Sequence, residues 1–367
     1  MRIAILSHLR FPIGPPFTGG LERHTHLLAS GLRARGHEVA LFAAEGSDPA
    51  LRPIPVCPPI GAATGDPRAD AASAAREAAA YAQMLRRVAA GGFEIVHNNC
   101  LHEATLAGPL PAPMALTLHV PPWEPFASAL RQAAARIDIV AVSSHLARVW
   151  SGVAPRIAVI GNGVDLAAFA PNLAPARPPY ALWSGRVSPE KGLHLAIDAA
   201  RLAGMPLRFA GARVCQEYWD SAIAPRLGLG VTDLGHLGET DLTRQLREAR
   251  VAVVSPVWEE PFGLVVAEAL ACGTPVAGFR RGALQDILDT ATGRLAEPGD
   301  VAGLARAIAE AARLDRAACR ARAESTLDAR LMIERYEALY AEMSATRRGR
   351  DVSTDQFSSS IASTFSG

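Results

Sequence analysis

Short apolar runs separated by helical stretches recur along most of the chain, and this alternation limits the open folds more than any other feature. An apolar run at 2–7 leads into a Pro/Gly loop at 12–20, and then Leu21, Thr25, Leu28 and Leu32 fall at helical spacing. Gly36 closes that helix and a second apolar run follows at 37–42. Strand, helix, strand in this order predicts a parallel pair, because parallel neighbours need a crossover of about that length. Further strands are expected at 95–96, 114–119, 137–142 and 157–160, and again at 180–183, 207–210, 251–254 and 275–278. The fold class expected is α/β, with doubly wound parallel sheets.

Residues 171–179 hold four prolines in nine, a run that continues neither a helix nor a central strand, so a domain linker is expected there. A chain of 367 residues with 49% apolar content is long enough for two cores. The expected organisation is a first domain over 1–170, a second over 180–330 and helix from 300 to about 346. The serine-rich stretch 351–367 is expected to be disordered.

A net charge of +1 supplies no basic field to gather nucleic acid, so any anion site must be local. The five cysteines (Cys57, Cys100, Cys215, Cys272, Cys319) are widely spaced, which argues against a disulfide framework or a zinc site and fits a reducing cytoplasm. No stretch approaches the ~20 apolar residues that span a bilayer. Membrane contact is expected to be at most peripheral, on the inner face.

Two segments carry the chemistry. Ser184-Gly185-Arg186-Val187-Ser188-Pro189-Glu190-Lys191-Gly192 follows one expected strand and opens a helix, which places two cations beside backbone amides at the C-terminal edge of a sheet. Arg186 can fork onto phosphate oxygens and Lys191 can add a mobile charge, so a diphosphate suits the segment. The plainer alternative is two solvated cations in a turn. The second segment, 258–273, is expected to be a helix beginning near Pro261 and ending at Gly273. Glu268 is the one charge among the apolar residues of 262–272, and a buried carboxylate needs donors such as ribose hydroxyls. Glu260, just before the helix, can meet a sugar, and the free amides of Gly263, Leu264 and Val265 face phosphate or sugar oxygens. The alternative makes Glu260 a capping acid and Glu268 a solvent-facing residue.

Gly185-Arg186-x-x-Pro189-Glu190-Lys191-Gly192, followed by Glu260-Pro261-Phe262-Gly263 and then Glu268-Ala269-x-Ala271-Cys272-Gly273-Thr274-Pro275-Val276, strongly resembles glycosyltransferase family 4. Gly19-Gly20-x-Glu22, Arg35-Gly36-His37-Glu38-Val39 and Asn162-Gly163-Val164-Asp165 are similar to further family positions, so the resemblance covers all but the tail. It implies the GT-B fold, two Rossmann-like domains facing each other across a deep cleft, with a helix near 331–346 returning to the first domain. It implies a retaining hexosyltransferase that uses a UDP- or GDP-sugar, requires no metal or other cofactor, and acts on a glycan, lipid or small-metabolite acceptor. By the same resemblance Arg186 and Lys191 hold the diphosphate, Glu268 the ribose and Glu260 the donor sugar, with Phe262, Gly263, Leu264 and Val265 lining the donor. Gly19 and Gly20 offer backbone from the first domain, and His119 touches the sugar. The base is expected near His236-Leu237.

The chain departs from the family pattern at Val120, where an aspartate is common after His119, and at Gln285-Asp286, where Pro-Glu is usual after Arg281-Gly282. Asp286 is expected to replace that glutamate with a shorter reach, and His119 reads as a hydroxyl contact or a plain structural histidine. His24 and His26 lie two apart on a helix and so point to different sides. A nicotinamide oxidoreductase is disfavoured because the loop after the first strand lacks Gly-x-Gly-x-x-Gly. A GT-B epimerase or phosphorylase, and a silent nucleotide-sugar binder, stay as alternatives. Trp123 and Phe126 either stack on the acceptor or pack their own loop.

Overall fold

The computed structural model describes residues 1–364, with side chains as far as Arg347. The chain divides into two compact units, the first made of Met1–Ala141, Val149–Ile160 and Ile333–Gly367, the second of Val142–Arg148 and Gly161–Met332.

The first unit is built on a seven-stranded sheet in the order β3-β2-β1-β4-β5-β6-β7. The strands are β1 (Arg2–Ser7), β2 (Glu38–Ala43), β3 (Ile54–Pro55), β4 (Ile95–Asn99), β5 (Met114–Leu118), β6 (Asp138–Ala141) and β7 (Ala158–Val159), all pairing in parallel. β1, β4 and β5 are buried on both faces, which is why they read as continuous apolar runs. The helix Ala329–Thr364 supplies the final layer of this unit, burying Tyr336 and Tyr340 completely. The Tyr340 hydroxyl lies 2.6 Å from His97 Nδ1 and the Tyr336 hydroxyl 3.1 Å from Thr117 Oγ1, while Glu337 accepts from Arg35 at 2.7 Å.

The second unit carries a six-stranded sheet in the order β10-β9-β8-β11-β12-β13. Its strands are β8 (Ala181–Ser184), β9 (Leu207–Ala210), β10 (Val231–Asp233), β11 (Val251–Val254), β12 (Val276–Phe279) and β13 (Gly293–Ala296), again all parallel. Trp183, Phe209, Phe279, Ile197 and Ile308 form the centre of its core.

Three features differ from the sequence expectation. The chain changes units at Ile160/Gly161, ten residues before the proline-rich stretch. Residues 171–179 are strapped to the second unit: Asn172 N–H donates to Cys272 O at 3.1 Å, and Ala176 N–H to Glu248 O at 2.9 Å. The buried Arg316 guanidinium also gathers the carbonyls of Asn172, Ala249 and Arg247. Prolines bar helix and central strand there, but an extended segment can still bond through its neighbours' amides. The second difference is at the end of the chain, where helical backbone runs to Thr364 although disorder was expected over 351–367. That stretch contains no helix-breaking Gly or Pro before residue 367, and extending a packed helix is far easier than nucleating one. Residues 365–367 lie outside the described residues. Thirdly, the apolar helix of the second segment is Leu264–Ala271, three residues later at its start than expected, because Gly263 takes a left-handed φ of 99° as its N-cap. Among the described residues no helix is long and apolar enough to cross a membrane.

Candidate active site

In a parallel sheet, the strand order reverses at one point, and loops leaving the two strands there diverge to opposite faces and open a crevice at their C-terminal ends. In the second unit that point lies between β8 and β11, since β9 and β10 extend to one side and β12 and β13 to the other. Ala181 pairs with Val251 and Leu182 with Ala252, so the loop beginning at Gly185 emerges beside the loop beginning at Ser255. These are the two segments singled out in the sequence.

Their junction is tight. Gly192 has a φ of +66°, and a Cβ there would sit 2.0 Å from the Ser255 carbonyl oxygen, so only glycine allows the approach. Ser255 Oγ donates to Gly192 O at 2.9 Å and accepts from Trp183 Nε1 at 3.2 Å, while Val257 N–H reaches Glu190 O at 2.9 Å. The crossing brings Lys191 onto the second loop: its Nζ lies 2.7 Å from Glu260 Oε2 and 4.8 Å from the centre of the Trp258 ring. Trp258 Nε1 donates to the same carboxylate oxygen at 3.0 Å. Lys191, Trp258 and Glu260 therefore form one cluster of fixed charge at the strand ends, next to the N-terminus of the helix Leu264–Ala271.

The other residues expected around the donor fall into distinct positions. Arg186 is on the same loop but more than half exposed, 3.5 Å from Glu190. Glu268 is 5% exposed within its apolar helix, and burial, with Glu268 nearby, pushes the Cys272 thiol up to about 12. Phe262 is buried, its ring edge 3.4 Å from where a Cβ on Gly161 would lie, so it packs the loop. Leu264 and Val265 form the first turn, whose amides have no carbonyl of their own helix to reach. Asp286 accepts from His145 N–H at 2.9 Å and lies 3.9 Å from Arg148.

Glu259 was missed. Its carboxylate accepts from Arg281 Nη1 and from Gly282 N–H, both at 2.7 Å, and Ala283 N–H donates to Glu260 O at 2.8 Å. Burial raises the Glu259 carboxyl, but Arg281 and the Gly282 amide outweigh it and hold the group below the ordinary glutamate range. A Cβ on Gly282, whose φ is +56°, would lie 2.1 Å from Glu260 O. Glu259 thus clamps the Arg281-Gly282 turn under Glu260 and fixes the backbone of the residue that meets Lys191. The signal was present in the Glu-Glu pair and the Arg-Gly pair, but nothing in the sequence pairs one with the other.

The first unit holds Gly19, Gly20 and His119. Gly19 caps the helix Gly20–Ala34, and Glu22 accepts hydrogen bonds from the Gly19 amide and its own, the reach-back of a capping box, while lying 3.0 Å from His8. Burial raises the Glu22 carboxyl, yet His8 and these amides leave it lowered overall. His119 is buried, with Nε2 3.1 Å from Asn99 Oδ1 and its ring 4.7 Å from His24. Burial, with His24, His97 and His8 nearby, holds it well below the usual histidine range. It is a neutral imidazole, suited to hydrogen bonding rather than to carrying charge. His24 and His26 do point apart, as expected: His26 lies 2.8 Å from Asp48, whereas His24 joins His119 and Tyr336 in the interior.

Comparison with known proteins agrees with this architecture. Residues 18–168 match the family described as Glycosyltransferase Family 4, and residues 166–326 the family described as Glycosyl transferases group 1. The chain is 31% identical over 360 residues to glycogen synthase of Mycobacterium tuberculosis, covering 84% of this chain and 85% of that protein. Its fold is similar to that of sucrose-phosphate synthase from Thermosynechococcus elongatus (TM-score 0.77, 21% identity, 94% of this chain and 99% of that one). It is similar too to that of Anabaena HepE solved with UDP-glucose (TM-score 0.68, 18% identity, 93% and 100%). With two Rossmann-like parallel sheets and these matches across nearly its full length, the chain belongs to the group 1 (family 4) glycosyltransferases of the GT-B fold.

Proposed function

We propose that the protein is a retaining hexosyltransferase that binds a UDP- or GDP-sugar in its second unit and transfers the hexose to a hydroxyl of an acceptor held by the first. The observation that carries the reading is the Lys191–Glu260–Trp258 cluster at the β8/β11 switch point, beside open helix amides. A carboxylate and a cation fixed together there suit a ligand that combines sugar hydroxyls with a diphosphate. The Anabaena protein of similar fold, solved with UDP-glucose, is in keeping with such a donor.

In this mechanism the bond from the anomeric carbon to the diphosphate oxygen breaks through an oxocarbenium-like state while the acceptor oxygen attacks the same face. The acceptor's hydroxyl proton passes to the departing diphosphate, so the products are the glycoside and the nucleoside diphosphate. Negative charge grows on the diphosphate, where Lys191, Arg186 and the first amides of the helix Leu264–Ala271 stabilise it in place of a divalent ion. Glu260 accepts from the donor sugar's hydroxyls, Glu268 from the ribose, and neutral His119 hydrogen-bonds a sugar hydroxyl.

Calorimetric titration with UDP, GDP, ADP and NAD in the presence of a chelator tests the donor assignment. One nucleoside diphosphate should bind well, and Lys191→Ala should weaken it. Failure to bind any diphosphate, or a preference for NAD, would overturn the reading.

A further inference from the structure

The first unit has its own switch point, between β1 and β4, with β2 and β3 to one side and β5 to β7 to the other. Register pairs Ser7 with Asn99, so the chain leaving β1 at His8 and the chain leaving β4 at Cys100 emerge side by side. A cavity of about 470 Å³ opens between them, a size common for small-molecule sites. Its wall includes Leu101, a non-glycine residue held at a left-handed φ of 54°, the kind of backbone strain that concentrates at ligand sites.

The charges on this wall are unequal. Glu22, Glu77 and Glu103 contribute carboxylates, whereas Arg10 is the one guanidinium lining the cavity. Arg10 is already committed: its Nη2 and Nε lie 3.0 and 3.4 Å from the two oxygens of Glu77, whose side chain is 4% exposed. His8 stands on Glu22 at 3.0 Å and His102 lies 3.7 Å from Glu103. A phosphate entering the cavity would meet only the half-exposed Nη1 edge of an Arg10 whose charge Glu77 already balances, and it would sit beside the Glu22 and Glu103 carboxylates. Hydroxyl groups face no such penalty, because they donate to carboxylates without bringing charge. Trp123 adds an aromatic wall, held in place by stacking on buried Phe126 at 4.7 Å and 8°. Such a surface suits the C–H face of a saturated ring. Of the two roles expected for Trp123 and Phe126, Phe126 takes the packing one, and Trp123 borders the cavity.

We propose that this cavity is the acceptor site and that it selects an uncharged, hydroxyl-rich ring, a sugar or cyclitol that carries no phosphate. The inference rests on the glycosyl-transfer reading above. It deepens that reading by assigning the acceptor's chemical class and the residues that choose it.

The test measures binding of glucose and myo-inositol, each against its monophosphate, by saturation-transfer NMR and calorimetry on the full chain. UDP and GDP binding are measured on the same preparation. A neutral ring should bind, its phosphate at least about tenfold more weakly, and Trp123→Ala should weaken the neutral ring by about tenfold while leaving nucleotide binding unchanged. Glu103→Lys, at a partly exposed position, should narrow the preference against phosphate, and Glu77→Gln should narrow it further. Should Glu77→Gln fail to fold, Glu103→Lys carries the comparison alone. Equal or tighter binding of the phosphates, an unaffected Trp123→Ala, or no binding of either neutral ring at tens of millimolar would overturn the proposal. If that happens while a nucleoside diphosphate still binds in a Lys191-dependent way, only the acceptor assignment falls. Loss of nucleotide binding as well removes the glycosyl-transfer reading itself.

Discussion

Lys191 Nζ lies 2.7 Å from Glu260 Oε2 across 69 residues of sequence, so the cation proposed for the diphosphate and the carboxylate proposed for the sugar are each other's partners before any donor arrives. Donor binding therefore competes with an existing ion pair. Glu260→Gln should free Lys191, leaving UDP or GDP affinity unchanged or tighter while turnover collapses, whereas Lys191→Ala should weaken nucleotide by about 10- to 100-fold, the worth of a charge-assisted hydrogen bond of ~1.5–3 kcal/mol. Calorimetry beside a transfer assay separates the two. Weaker nucleotide binding in Glu260→Gln would show that the pair does not compete.

Arg186 is half exposed and its 3.5 Å contact with Glu190 is of the kind that adds little to stability. Arg186→Ala should leave the melting temperature within about 1 °C of wild type and lower kcat/KM by roughly one to two powers of ten. A full-activity variant would place Arg186 outside the donor site.

Two glycines with nearly the same backbone separate strain from crowding. Gly192 (φ +66°) and Gly204 (φ +63°) are both left-handed, but an added Cβ meets the Ser255 carbonyl at 2.0 Å in the first case and nothing within 4 Å in the second. Gly204→Ala should cost about 1 kcal/mol and leave activity intact. Gly192→Ala should cost several times more and abolish transfer, because the two loops can no longer meet; urea melts and activity on both variants decide this.

The buried histidines of the first unit predict an acid-sensitive fold. Burial, with His24 nearby, lowers His97 from 6.5 to about 3 despite a hydrogen bond to Asn99. The unfolded chain therefore takes up this proton more readily than the folded one, and stability is lost as pH falls below about 6.5 until pH reaches about 3. The slope is ~1.4 kcal/mol per pH unit, so pH 5 should cost about 2 kcal/mol from this residue, with His119 acting in the same direction. Urea unfolding at pH 7.5 and pH 5 should show a smaller difference for His97→Gln than for wild type. An equal difference would mean that His97 is not the proton acceptor.

The strands that the sequence revealed are mostly those buried on both faces, such as β1 and β11, where apolar residues run together. The ones it concealed, β3, β10 and β13, are all sheet edges, two to four residues long and containing Pro55, Asp233 or Gly293. The two motif segments at the β8/β11 switch point were legible for a similar reason: each is a contiguous loop with its own local rules. The partnership of Lys191 with Glu260, and of Glu259 with Arg281 and Gly282, depends on β8 lying beside β11 and β11 beside β12, adjacencies that local pattern does not encode. His24 was passed over because helical spacing shows which way a side chain points but not what meets it, here His119 and Tyr336.

The helix that buries Tyr336 and Tyr340 has a consequence for synthesis. A ribosome delivers His97 and Thr117 early, yet their hydroxyl partners emerge only after every residue of the second unit has been translated. Vectorial folding here therefore runs against the usual N-terminal-first order: the nascent second unit can close while the first still waits for its last structural layer.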